Sequence, residues 1–291
     1  MTIDNPAATV HPGSAPAIID AHHHFWHYEP EAYPWIDPSM TVLRRDWLAV
    51  DLAPRLAAAR IDGVVSVQAR QTLEETSWLL SLADAHDFIV GVVGWVPLVS
   101  SSVVTTLGRF GDNPKFRGVR HVVQGEADPH FLERPDFNAG IRALRPLQLS
   151  YDILIYETQI PAALDFVDRH PDQVFIVDHA AKPRIRDGVL EPWRTNVREL
   201  ARRPGVYCKL SGLVTEAATH AWTDADLRPY VDTVLEAFGP TRVMFGSDWP
   251  VCLLASSYDR WFDAVRRFLA ELTPTERASI LGGSARRAYR L

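Results

Sequence analysis

Ile18-Ile19-Asp20-Ala21-His22-His23-His24-Phe25-Trp26 begins as an apolar strand and runs into three consecutive imidazoles. Side chains alternate between faces along a strand, so His22 and His24 share one face while His23 takes the other. Two imidazoles at that spacing can bite one divalent ion. An isolated pair is as readily two packing histidines, so the reading turns on what surrounds it.

The strand that this stretch closes, 17–20, is the first of eight short apolar runs. The others occupy 63–68, 88–96, 118–123, 150–156, 174–178, 206–210 and 242–245. All are rich in Val, Ile and aromatic residues, which suits strands buried on both faces. Helical patterns separate them at 52–60, 72–85, 103–110, 137–144, 161–169, 192–203, 224–238 and 258–270. Thr72 with Glu75 three residues later predicts an N-terminal capping box for the second of these. A last segment, 274–289, predicts one or two terminal helices. Eight strand–helix pairs in succession predict an α/β fold, a (β/α)8 TIM-type barrel of one domain with a C-terminal helical extension. A doubly wound open sheet is the competing architecture, but no glycine-rich phosphate turn follows an early strand. Residues 1–16 are expected to form a flexible N-terminal segment. The loop at 25–46 carries Trp26, Tyr28, Tyr33 and Trp35, and its length suits a lid or binding loop.

With 291 residues, 47% of them hydrophobic, the chain is long enough to bury a continuous core. Thirty basic against 36 acidic residues give a net charge of −6, which offers nothing to nucleic acid or an anionic membrane. No apolar run approaches the ~20 residues of a membrane span. Met1 to Pro16 lacks the basic-then-apolar order of a secretory signal, so a cytoplasmic protein is expected. Cys208 and Cys252 read as small buried hydrophobes, not a disulfide scaffold. Only Lys115, Lys182 and Lys209 are lysines; the other basic residues are arginines.

Barrel chemistry gathers at the C-terminal ends of the strands. The sixth run ends in Asp178-His179, and the eighth leads into Gly246-Ser247-Asp248-Trp249-Pro250. A carboxylate there is costly to bury unless it is paired or metal-bound. Helix capping is the alternative role for Asp248, and the Trp-Pro that follows speaks against it. His22, His24, His179 and Asp248 would converge around one axis. That set provides metal ligands and an open position for water, with Asp248 as both ligand and general base.

Asp-Ala-His-x-His at Asp20–His24, Asp-His-x-x-Lys-Pro at Asp178–Pro183 and Gly-Ser-Asp-Trp-Pro at Gly246–Pro250 together resemble the amidohydrolase superfamily. The chain is similar in particular to its sugar-lactonase branch, the L-fuconolactonases and L-rhamnonolactonases. Tyr33-Pro34-Trp35, Gly118–His121 and Cys208–Gly212 extend the likeness from about Ile18 to Tyr289. The resemblance implies a small-molecule sugar lactone as substrate, its hydrolysis to the aldonic acid, a place in L-fucose degradation, and one divalent metal, zinc. Many superfamily members hold two metals through a lysine ending strand four and a histidine ending strand five. Strand four ends near His121–Gln124 and strand five near Tyr156–Glu157 without them. One ion is therefore expected, with metal-free water activation by the same four residues as the alternative.

Other residues are assigned by their places on the strands. Lys209 is expected to support the lactone carbonyl or a hydroxyl, with a strand-end ion pair as its other role. Of Arg120 and His121 only one faces the interior, and His121 is the choice. Gln68 and Arg70 are expected to share a face and bond sugar hydroxyls. Trp26, Trp35, Trp249 and Tyr156 are candidates to stack on a sugar ring. Two rivals remain. A metal-dependent decarboxylase of the same superfamily would want a strand-five histidine. A non-catalytic sugar-binding barrel would not need all four site residues.

Overall fold

All eight apolar runs become strands in the computed structural model, which describes residues 17–291; the expectation for 1–16 lies outside the described residues. The strands are β1 Ile19–His23, β2 Gly63–Val67, β3 Ile89–Gly94, β4 Phe116–His121, β5 Ser150–Ile153, β6 Phe175–Val177, β7 Val206–Leu210 and β8 Val243–Phe245. They pair in sequence order, each parallel to the next. β1 and β8 meet at their C-terminal ends. There His24 N–H donates to Trp249 O (2.7 Å) and Asp248 N–H donates to His22 O (2.8 Å). That stitch closes the barrel and lays His22, His24 and Asp248 side by side.

Helices α1 Ala49–Ala59, α2 Leu73–Ala85, α3 Val103–Gly108, α4 Pro135–Arg142, α5 Ile160–Asp168 and α6 Trp193–Ala201 connect the first seven strands. After β7 come a short helix, α7 Leu213–Glu216, and the longer α8 Asp224–Phe238; α9 Tyr258–Phe268 follows β8. Thr72 caps α2 as expected, accepting from Glu75 N–H at 3.1 Å. Glu75 does not complete the box. Its carboxylate turns instead to the N–H groups of Ala69 (3.0 Å) and Arg70 (2.8 Å) and accepts from Tyr33 Oη at 3.3 Å. Glu75 therefore pins the long loop after β1 to the end of β2, and burial pushes its carboxyl up to about 7.

Two apolar cores result. The larger lies between the sheet and the helices. The smaller fills the barrel, where Ile19, Val65, Val93, Ile176 and Met244 meet Ala285, Ala288 and Tyr289. Those last three come from the C-terminal extension, α10 Pro274–Ala278, a π turn at Ser279–Gly283 and α11 Ser284–Tyr289. It stoppers the barrel at the N-terminal end, leaving the other end for chemistry. No helix among the described residues is long and apolar enough to cross a membrane.

Candidate active site

Four side chains named from the sequence come together around Asp248 Oδ1. It lies 3.5 Å from His24 Nε2, 3.7 Å from His22 Nε2 and 4.0 Å from His179 Nε2. The two strand-one imidazoles approach within 3.1 Å, Nε2 to Nε2. Strand alternation explains their pairing, and His23 does turn the other way, to Ser66 Oγ at 2.9 Å. His24 Nδ1 lies 2.8 Å from Val67 O, which accepts its proton and leaves the Nε2 lone pair facing the site.

This geometry fits one metal ion. Ligand atoms about 2.0–2.2 Å from a tetrahedral ion lie roughly 3.3–3.6 Å from one another. The three separations among His22, His24 and Asp248 are 3.1, 3.5 and 3.7 Å. Two neutral imidazoles and a carboxylate leave the fourth position of such an ion for water or substrate. A second grouping, His22, Asp178 and His179, also falls within ligand range. Its carboxylate is already taken: Lys209 Nζ stands 2.9 Å from one Asp178 oxygen and Arg120 donates to the other at 3.0 Å. Two fixed cations already occupy that carboxylate, so among the described residues His22, His24 and Asp248 are the grouping left for a divalent ion.

Protonation states suit that task. Burial strips water from the histidines and pushes His179 down to about 4, with His22 and His24 also lowered. Burial acts on Asp248 in the opposite sense, but His179, His24 and Lys182 hold its carboxyl below the usual range. Neutral ligands and an ionised carboxylate coexist at neutral pH.

Two glycines make room for these imidazoles. A Cβ on Gly246 would stand 2.8 Å from His22 Cβ. At Gly212, where φ is +66°, it would stand 2.5 Å from His179 Nδ1. That nitrogen is held by Ser211 Oγ at 2.9 Å. Gly212→Ala is therefore expected to displace His179 and cost about 10²-fold in kcat, measured in steady-state assays on folded variant.

Beneath the site lies a buried charge network largely unforeseen from the sequence. Lys209 Nζ contacts Asp152 Oδ2 (2.5 Å), Asp178 Oδ1 (2.9 Å) and His22 Nδ1 (3.0 Å). Tyr289 Oη, from the C-terminal stopper, donates to Asp152 Oδ2 at 2.7 Å. Arg120 reaches Asp178, the backbone and side chain of Gln68, and His22 Nε2 at 3.4 Å. Burial raises Asp152 to about 6, against the pull of Lys209. Asp178 stays well below the carboxylate range, because Lys209, His22 and Arg120 outweigh burial.

Several expectations are corrected here. Lys209 is fully buried among these partners and does not open onto the mouth, so its ion-pair role wins. His121 faces outward. It stacks on Phe131 with ring centroids 4.8 Å apart and contacts Glu126 and Trp95. Arg120 takes the interior, because its register partner Asp152 also points inward. Gln68 is sealed and spends its side chain on Arg120. Arg70 lies over the Tyr33 ring at 5.7 Å, because β2 ends at Val67 and strand alternation does not reach it. Trp26 and Trp249 are wholly buried. Trp26 donates to Arg45 O and Trp249 packs on Trp47, so both scaffold the loop and stack on nothing outside. Trp35, which donates to Ala69 O, and Tyr156 keep 39% and 44% of their surface exposed. A groove of about 1000 Å³ runs past Ile18, Arg60 and Arg277, residues apart from this set.

Residues 19–291 match the amidohydrolase family model. The chain belongs to the amidohydrolase family. This amidohydrolase is 43% identical over 284 residues to an L-fucono-1,5-lactonase of Burkholderia multivorans, covering 94% of this chain and 96% of the relative. An L-fucono-1,5-lactonase of Burkholderia ambifaria is 38% identical, with 94% and 95% covered. A crystal structure of a Burkholderia multivorans amidohydrolase with bound zinc superposes with a TM-score of 0.91 at 42% identity, covering 94% and 99%.

Proposed function

We propose that this amidohydrolase hydrolyses an L-fucono-1,5-lactone-like sugar lactone to the open aldonic acid, with zinc as its divalent ion. One observation carries the reading: three neutral imidazoles and an ionised carboxylate converge on Asp248 Oδ1 at the open end of the barrel. The likeness to L-fucono-1,5-lactonases supports the choice of sugar and a role in L-fucose degradation. Free, buried Cys208 and Cys252 accord with a reducing compartment, and the cytoplasm is the one proposed.

When bound to His22, His24 and Asp248, a divalent ion polarises a carbonyl and supplies a water that ionises near neutral pH. The rest falls to the chain. Asp248 takes the proton of the attacking water as its oxygen bonds to the lactone carbonyl carbon. Collapse of the tetrahedral adduct breaks the bond to the ring oxygen. Asp248 then returns its proton to that oxygen, which leaves as a hydroxyl. The new carboxylic acid ionises, so each turnover frees one proton. His179, held through Nδ1 by Ser211, keeps Nε2 turned to Asp248. The network of Lys209, Asp152, Asp178 and Arg120 fixes His22 from below and balances two cations against two carboxylates.

The decarboxylase reading is disfavoured by β5, which turns Asp152 inward to Lys209 and supplies no histidine. A paired assay tests this directly. Acid release is followed on L-configured aldono-lactones, and carbon dioxide release on aromatic carboxylates. Acid from lactones above the spontaneous rate, with no carbon dioxide, is the expected result. The reverse pattern would replace the lactonase with a lyase.

A further inference from the structure

Of the three lysines, two are committed within the protein. Lys115 donates to Ala83 O, and Lys209 is enclosed by Asp152 and Asp178. Lys182 is different. It ends a run of four consecutive non-glycine residues with positive φ, His179 (54°), Ala180 (50°), Ala181 (57°) and Lys182 (50°). Each left-handed residue costs roughly 1–2 kcal/mol, and such strain persists where the surrounding structure enforces a site. The reversal carries Lys182 back across the top of β6. Its ammonium stands 5.4 Å from the Tyr156 ring, above the end of β5.

Glu216 lies close enough to act on it electrostatically, on α7, the short helix that follows the Ser211-Gly212 turn gripping His179. Lys182 and Glu216 are half-buried, and each is the foremost charge acting on the other. Yet among the described residues neither head group has a hydrogen bond, nor an ion pair within 4.0 Å. Arg186, also near Glu216, is spent on Ala217 O and Thr219 Oγ1. Asp248 and Glu157 also act on Glu216, and both repel it. An ammonium only donates and a carboxylate only accepts, whereas a hydroxyl does both. One hydroxyl oxygen bonded to each at about 2.8 Å would span a gap of roughly 4.5–5 Å.

We propose that Lys182 and Glu216 form a hydroxyl-reading pair on the rim of the site, with Tyr156 as the wall beside it. The pair accepts a ring hydroxyl of a polyhydroxylated lactone and sets which lactones are opened. It rests on the lactonase reading and adds the residues that select the substrate. Bridging charged groups to a hydroxyl is a contact made alike before and during reaction, so its loss appears in KM.

The test compares wild type, Lys182→Met and Glu216→Gln on an L-configured aldono-1,5-lactone and its mono-deoxy analogues. Each variant is checked by thermal unfolding. Each is expected to raise KM about 10- to 100-fold; Lys182→Met should also move the acid limb of the kcat–pH profile upward, since Lys182 helps to hold Asp248 ionised. Preference for the hydroxylated lactone over the matching deoxy compound should collapse. Unchanged KM and preference, or a fall confined to kcat, would overturn the pair while leaving the lactonase intact. If wild type opens no lactone, the lactonase reading falls, and calorimetric titration with the open aldonate decides the pair. Binding weakened 10- to 100-fold in both variants upholds it; equal or absent binding overturns it.

Discussion

Asp248→Asn is expected to lower kcat by about 10²–10⁴-fold while leaving the protein folded, because an amide cannot accept the proton of the attacking water. Asparagine is the right probe for a backbone reason. Asp248 sits at φ +57°, a left-handed conformation that asparagine tolerates better than alanine. Asp248→Ala would add backbone strain and confuse chemistry with stability. Among the described residues the carboxylate has no Lys or Arg within ion-pair distance, only histidines kept neutral by burial. Unfolding of Asp248→Asn should therefore stay within about 1 kcal/mol of wild type. Steady-state kinetics beside a urea titration make the check. More than a tenth of wild-type kcat in the variant would remove Asp248 as the base.

Lys209→Met should damage stability most. Methionine fills the space of the aliphatic stem, but Asp152 and Asp178 lose the ammonium they share at 2.5 and 2.9 Å. Removing one partner of a buried ion pair costs about 3–5 kcal/mol, because the remaining charge keeps its desolvation penalty. A shift on the order of 10 °C in Tm follows. The pH dependence has a definite sign. Asp152 already titrates at about 6 in the folded protein, above its unfolded value of 3.8. A raised carboxyl favours the fold at low pH and loses that advantage as pH rises through its folded pKa. Asp178, held well below 3.8, contributes in the opposite sense, above its unfolded pKa. Loss of Lys209 raises both, so the gap to wild type should widen from pH 5 to pH 8. Asp152→Asn added to Lys209→Met should recover part of the loss, by removing one orphaned charge. A single variant within about 1 kcal/mol of wild type at pH 8 would contradict the network's role.

The barrel was legible because strands buried on both faces read as unbroken apolar runs, and all eight runs were found where strands lie. The convergence of His22, His24, His179 and Asp248 was legible for a related reason: each lies within four residues of the end of such a run. Interior parity was harder. Gly-Val-Arg-His ends β4 with two polar residues in succession, and only pairing of Arg120 with Asp152 decides which turns inward. Asp152 and Asp178 carried a usable signal, since a charge within a buried apolar run must find a partner. Lys209, one of three lysines, was that partner, though its sequence gave no sign of distance from the mouth. Gln68 and Arg70 were misplaced because alternation was carried past the end of β2. Trp26 and Trp249 were misplaced because aromatic content does not tell a wall of the site from its scaffold. Lys182 and Glu216 lie on different loops, and nothing in the linear order brings them together.

Acid release from L-fucono-1,5-lactone, corrected for spontaneous opening and measured before and after rigorous chelation, decides whether this barrel is a metal-assisted lactonase. Rapid opening that falls on chelation and returns with zinc, and that stays low in Asp248→Asn under both conditions, is the expected result. Opening no faster than the spontaneous rate, with zinc restored, would contradict it.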